Sequence, residues 1–203
     1  LNNTPTSSLV CELESIFDVD AFLHLTAIEI LLGHWDNYTG NMNNYFLYER
    51  PEDGRLMMFS YDIDNSMGVW WNGDWANENP FTGNMSQTRP LYERIMEIAR
   101  YRDQLGEYIN EALQNGFDAT TVSDRGLELI SLCSDAAISD TFRTLDYGFS
   151  NDDFLQAMSS TPGGHVNYGV APYIQQRSTS VLDAILPLSP PVPFPSLSLP
   201  PVS

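Results

Sequence analysis

Residues 34–68 read HWDNYTGNMNNYFLYERPEDGRLMMFSYDIDNSMG, and this stretch decides how the chain is organised. Two runs within it, 44–49 and 55–62, are dominated by aromatic and apolar side chains, which predicts two β-strands. Pro51, Glu52, Asp53 and Gly54 between them have turn chemistry, because Pro presets its backbone angle and Gly tolerates a left-handed one. A hairpin is therefore expected. His34 and Asp36 precede it, Asn41 lies between Asp36 and the first strand, Asn44 opens that strand, Asp62 ends the second strand and Asp64 follows it.

On the N-terminal side, Ala21, Leu25, Ile28 and Leu32 recur at helical spacing. Asp18 before them suits an N-cap and Gly33 after them suits a C-terminal stop, so residues 17–33 are expected to form a helix. On the C-terminal side, residues 70–88 form a polar and aromatic loop. Pro90 opens the next helical block, with a break expected at Arg100–Arg102 and an end at Asn115 and Gly116. A helix over 121–145, a short one after Ser150 with Asp153 as its capping-box partner, and a closing helix over 170–186 complete the pattern. Seven of the last seventeen residues are Pro, which makes 187–203 a linker of extended type. The fold class expected is α+β and predominantly α-helical. Residues 1–16 form a lead-in, 17–186 the domain and 187–203 the linker. The chain opens on Leu1 without a signal-peptide pattern and is expected to be a piece of a longer protein.

The chain has 203 residues, enough for one full core. Its net charge is −18, and all nine cationic residues are Arg. So acidic a surface repels nucleic-acid backbones and anionic membranes, which sets both aside as partners, and it suits high-salt, calcium-rich or extracellular surroundings, of which an extracellular or cell-surface location is expected. No apolar run is long enough to span a bilayer. Cys11 and Cys133 make no disulfide framework; either one bridge or two free buried thiols would fit.

The chemistry sits around the hairpin. Phosphoryl transfer needs a carboxylate to accept or orient the acceptor hydroxyl, and an amide oxygen and a second carboxylate to hold magnesium against the phosphates. Asp36 suits the first role, Asn41 or Asn44 the second, and Asp62 the third with Asp64 in support. The spacing alone is a weak signal: among sixteen Asp and fifteen Asn, an Asp-x4-Asn pair should occur about once by accident. The structural reading stands beside it, with His34 and Trp35 as core residues at a helix end and Asp36 and Asn37 as turn formers. The segment from Asp62 also has clustered oxygens that would suit calcium. An EF-hand loop would need Gly at its sixth position and Glu at its twelfth, where Met67 and Gly73 stand. Trp70, Trp71 and Trp75 would suit sugar rings if exposed, although tryptophans so close in sequence are more often packed.

The segments IEILLGHWDNYTGNMNNYFLYE and LMMFSYDIDNSMG resemble the core motifs of the spore-coat CotH kinase family, which have an Asp before an Asn-Tyr-x-Leu-Tyr strand and then Asp-x-Asp shortly before Gly. The likeness runs from Phe17 to Leu186 and includes Arg177 in the closing helix. It implies the C-terminal lobe of an atypical, kinase-like domain that transfers the ATP γ-phosphate to protein hydroxyls of Ser, Thr or Tyr, with Mg²⁺ or Mn²⁺. By position it implies Asp36 as the catalytic Asp, Asp62 as the metal carboxylate and Asn44 as the amide, whereas Asn41 fits the general kinase spacing. It also implies a nucleotide-clamping Lys and its Glu partner in an N-terminal lobe upstream, and leaves the residues that bind the nucleotide itself unknown. Ser60 and Tyr61 stand where the family often has Pro-Trp. The alternative is a non-catalytic extracellular surface module of the same fold, binding calcium or glycans.

Overall fold

The computed structural model describes residues 1–69, 73–81, 88–145 and 147–185. The predicted linker, Trp70, Trp71 and Leu186 lie outside them. Seven α-helices and one antiparallel hairpin make up the described residues: α1 (Thr6–Ile16), α2 (Val19–Leu32), β1 (Tyr45–Glu49), β2 (Leu56–Ser60), α3 (Pro90–Met96), α4 (Ala99–Gln114), α5 (Ala119–Ser139), α6 (Asn151–Leu155) and α7 (Val170–Ile185). The fold is α+β and mostly helical, with one small two-stranded sheet.

Helix α2 is the axis. Its N-terminus is capped by Asp18, whose carboxylate accepts the Ala21 N–H at 3.1 Å. The other Asp18 oxygen pairs with Arg50 at 2.6 Å, so one carboxylate ties the start of α2 to the hairpin. Arg50 and Arg55 flank the turn and share Asp53, at 2.5 and 2.7 Å. Gly54 takes the left-handed conformation the turn needs. The strands pair from Tyr45 opposite Ser60 to Glu49 opposite Leu56.

The buried face of α2 is Phe22, Leu23, Thr26, Ala27 and Leu31, which packs on α4, β2 and α7. The stripe read from the sequence is therefore corrected: Ile28 is 46% exposed. Helix α2 is apolar almost all round, so its period could not say which side would be covered. On α4, by contrast, Leu105 and Ile109 stand four residues apart on one face and are both buried. The break ahead of α4 falls at Glu97–Ile98 and not at Arg100–Arg102, because Ile98 is extended and packs against the core. Helix α5 runs over 119–139, starting at the Asp118 cap and ending where the Arg143 guanidinium takes the Ala137 carbonyl. Ser150 and Asp153 form the predicted capping box. Residues 1–16 were expected as a lead-in; within them α1 buries Leu9 and Leu13 in the main core. Both cysteines are free and exposed, so the readings as a bridge or as buried thiols are corrected.

The C-terminal end of α2 is tied down from three directions. The Glu29 carbonyl accepts the His34 N–H at 3.0 Å and the Leu32 carbonyl accepts the Met67 N–H at 2.7 Å. From α7, Tyr173 Oη donates to the Leu31 carbonyl at 3.2 Å and Arg177 Nε to the Ile30 carbonyl at 2.9 Å. The carbonyls that a helix end leaves orphaned are thus satisfied, partly by a cation suited to the negative end of the helix dipole. Gly33 makes the turn at φ +63°, and a Cβ there would lie 2.2 Å from Tyr173 Oη. Replacing Gly33 by Ala is expected to cost about 2 kcal/mol from left-handed strain and displacement of Tyr173. Urea denaturation checks this; a loss under about 0.5 kcal/mol would mean the end of α2 is looser than described.

Candidate functional site

Beyond Gly33 the chain enters a loop that closes on itself through Asn37. This side chain is 2% exposed. Its Oδ1 accepts the Gly40 N–H at 2.7 Å and the Thr39 hydroxyl at 3.0 Å. Its backbone carbonyl accepts the Asn41 and Asn43 N–H groups at 3.1 and 3.2 Å. Its Nδ2 donates to the Glu29 carboxylate at 2.7 Å. Arg89, itself buried, donates to the carbonyls of Tyr38 and Gly40 from outside the loop. At Gly40 a Cβ would fall 1.8 Å from the Trp35 carbonyl, so the position admits no side chain without opening the loop. Asn37 is thus a turn former, as the structural reading held, and a buried hub as well.

The loop carries Asp36. One carboxylate oxygen accepts Asn41 Nδ2 at 2.8 Å, and the other accepts Asn44 Nδ2 at 2.9 Å. The sequence set Asn41 and Asn44 against each other as rivals, whereas both amides meet at Asp36. An amide that donates through its nitrogen still has Oδ1 to offer a hard cation. Asn44 also accepts the Tyr61 N–H through its carbonyl at 2.9 Å, which places the start of the Asp62 turn alongside it. Strand β2 ends at Ser60, so Asp62 lies in that turn and not in a strand.

Asn44 and Asp62 both have left-handed backbones, at φ +50° and +49°, as do Met42 and Met67. Each costs about 1 kcal/mol for a residue with a Cβ. Four of the five such residues among the described ones lie in 42–67, which concentrates backbone strain around Asp36. Asp62 and Asp64 are exposed. His34 lies at 3% exposure among these carboxylates. Burial lowers the pKa of its ring, while the Asn65 carbonyl, 3.4 Å from Nδ1, and the charges of Asp36, Asp64 and Asp62 pull it back up. The three aspartates therefore bear on one buried imidazole. Among the described residues no three His, Cys, Asp or Glu side chains group closely enough to hold a metal ion unaided. The available donors are hard oxygens of Asp62, Asp64 and two amides, a set that fits Mg²⁺, Mn²⁺ or Ca²⁺ when a ligand's oxygens complete the shell.

Beneath the loop is a cavity of about 60 Å³ bordered by Glu29, His34, Trp35, Trp75, Tyr92 and Arg177, among others. At about 10–15 Å³ per water centre it holds a few waters and no nucleotide. Trp75 stacks on Trp35 with ring centres 6.4 Å apart, which is the packed reading of that tryptophan. His34 Nε2 and the indole nitrogens of Trp35 and Trp75 are buried without a protein partner.

Glu29 was not singled out by sequence; the available signal was a lone carboxylate inside the apolar run AIEILL. Burial raises its pKa to about 7, against the Asn37 amide and the Ser60 hydroxyl, which is nearby but outside good hydrogen-bonding geometry. A carboxyl held above its unfolded value favours folding in the protonated state. Stability from this group is full below about 4.5 and falls as pH rises to about 7, by roughly 3 kcal/mol in total. Replacing Glu29 by Gln keeps an acceptor for Asn37 and removes the titration. The stability difference between variant and wild type should therefore grow with pH across this window, and denaturation at pH 4.5 and 7.5 measures it. A difference that stays flat would contradict the assignment.

Fold and site together describe an α+β domain whose hairpin presents a cluster of carboxylates and amides. Residues 1–181 match the CotH kinase protein family, and the chain belongs to it. Two curated relatives come from Rhizopus delemar. Invasin CotH2 is 24% identical over 194 residues, covering 86% of this chain and 32% of the relative. Invasin CotH3 is 23% identical over the same coverage. The chain thus spans about a third of the length of the curated relatives it matches.

Proposed function

We propose that this chain is the catalytic C-terminal half of a CotH-type protein kinase, which transfers the ATP γ-phosphate to a protein hydroxyl. The observation that carries the reading is the convergence of the Asn41 and Asn44 amides on Asp36, with the Asp62 turn held beside Asn44. In this reading Asp36 accepts or orients the acceptor Ser, Thr or Tyr hydroxyl. The two amide hydrogen bonds fix both of its oxygens, so the carboxylate is oriented before substrate arrives. Asp62, with the amide oxygens of Asn44 or Asn41 and with Asp64 in support, would hold Mg²⁺ or Mn²⁺. The bound cation supplies neutralisation of the phosphate charge. Phe46 and Tyr61 meet edge to face at 5.2 Å, are more than half exposed, and adjoin Asn44 and Asp62 in sequence or strand register. They offer an adenine ring an apolar surface.

The chain contains no Lys. A cationic clamp on the phosphates would come from a further part of the longer protein, the N-terminal lobe that the resemblance implies. A location outside the cell or on its surface fits the net charge of −18 and the name invasin carried by the relatives. Among the described residues no helix is long and apolar enough to cross a membrane.

Those names also favour a second reading, a surface module that keeps the fold and transfers nothing. The two part on one experiment. In the full-length protein, Asp36→Asn should lower phosphotransfer by at least about a hundredfold, and Asp62→Ala should raise the Mn²⁺ needed for half-maximal rate, with melting temperature kept in both. Unchanged rates in both variants would overturn the roles given to Asp36 and Asp62, whereas a wild type with no activity and no thermal response to ATP and Mn²⁺ would favour the surface module.

A further inference from the structure

Glu29 has no role in the phosphotransfer reading, yet its carboxylate is the acceptor for the buried amide at the hub of the Asp36 loop. The hydrogen bonds around Asn37 admit only one orientation of its amide. Gly40 presents an N–H, so Oδ1 must face Gly40 and Nδ2 must face Glu29. The path is short and continuous. Glu29 sits on α2, the most heavily packed helix, and holds Asn37 at 2.7 Å. Asn37 then holds Gly40, Asn41 and Asn43, and Asn41 reaches Asp36. Without an acceptor at position 29, the Asn37 Nδ2 group would be buried and unpaired, and rotation of the amide to satisfy it would release Gly40.

We propose that Glu29 is a positioning residue for Asp36, acting through Asn37 to hold the 37–43 loop in the geometry that presents the Asp36 carboxylate. The groups that face it are the Asn37 amide, the Ser60 hydroxyl and, around the shared cavity, His34, Glu78, Tyr92 and Arg177. Because burial moves its titration toward neutrality, the hold also depends on pH: the ionised acceptor binds Asn37 more strongly but is costlier to bury. The inference rests on the phosphotransfer reading only for its kinetic consequence.

Two variants separate positioning from folding. Glu29→Gln keeps an acceptor of similar shape. Glu29→Leu has no acceptor, so a water from the adjoining cavity is the only substitute partner for the Asn37 amide, and the melting temperature of each variant is measured beside its exchange to show that the fold is kept. Hydrogen exchange on the whole chain, resolved to single amides by NMR, gives the direct readout. In Glu29→Leu the Gly40, Asn41 and Asn43 amides should lose about tenfold protection, while α2 and α4 amides do not change. In Glu29→Gln protection should stay near wild type. In the full-length protein, Glu29→Leu should lower kcat with KM for ATP unchanged, Glu29→Gln should restore it, and the pH profile near 7 should flatten in Glu29→Gln. Unchanged exchange at the three amides in Glu29→Leu would overturn the proposal whatever the kinetics. Loosened amides in a protein whose wild type transfers no phosphate would overturn the phosphotransfer reading and leave the hold on the loop standing.

Discussion

The end of helix α2 is the constraint from which the rest of the molecule follows. A helix must find partners for its last carbonyls, and here they come from the loop after Gly33, from the turn after the hairpin and from α7. Each bond places a different segment. The His34 N–H starts the Asp36 loop, the Met67 N–H ends the Asp62 turn, and Tyr173 and Arg177 bring α7 underneath. The two sides of the candidate site are therefore fixed to the same turn of helix, although Asp36 and Asp62 are far apart in sequence.

From this anchor the site is built by short polar contacts. Glu29, one turn back on α2, holds Asn37; Asn37 closes the loop; the loop and the first strand deliver two amides to one carboxylate. The left-handed backbones at Asn44 and Asp62 are tolerated because the paired strands and the α2 end determine the path on either side. The result is a carboxylate oriented before any ligand arrives. In the proposed reading this orientation serves the acceptor hydroxyl.

Much of the fold was legible because its punctuation is local. Asp18, Gly33, Pro90, the Pro51–Gly54 turn and the Ser150–Asp153 box each act through neighbours in sequence, and each is where the pattern puts it. The site was legible as a set of residues but not as an arrangement. Nothing in the spacing says that Asn41 and Asn44 would both reach Asp36, since that depends on how Asn37 folds the loop. Tertiary packing explains the misses: α2 is too uniformly apolar to reveal its buried face, α1 lacks a side-chain cap and so gives no start signal, and Glu29 gains its meaning from a residue eight positions away. Cys133 is exposed because α5 has no buried residue at all.

Whether the cluster binds a nucleotide-bound cation is the central question, and an anomalous-scattering map of the full-length protein crystallised with Mn²⁺ and a non-hydrolysable ATP analogue addresses it most directly. The account predicts a manganese peak beside Asp62 and the Asn44 or Asn41 amide oxygen, with the terminal phosphate facing Asp36. A nucleotide bound elsewhere, or manganese absent from Asp62 while nucleotide is present, would contradict it.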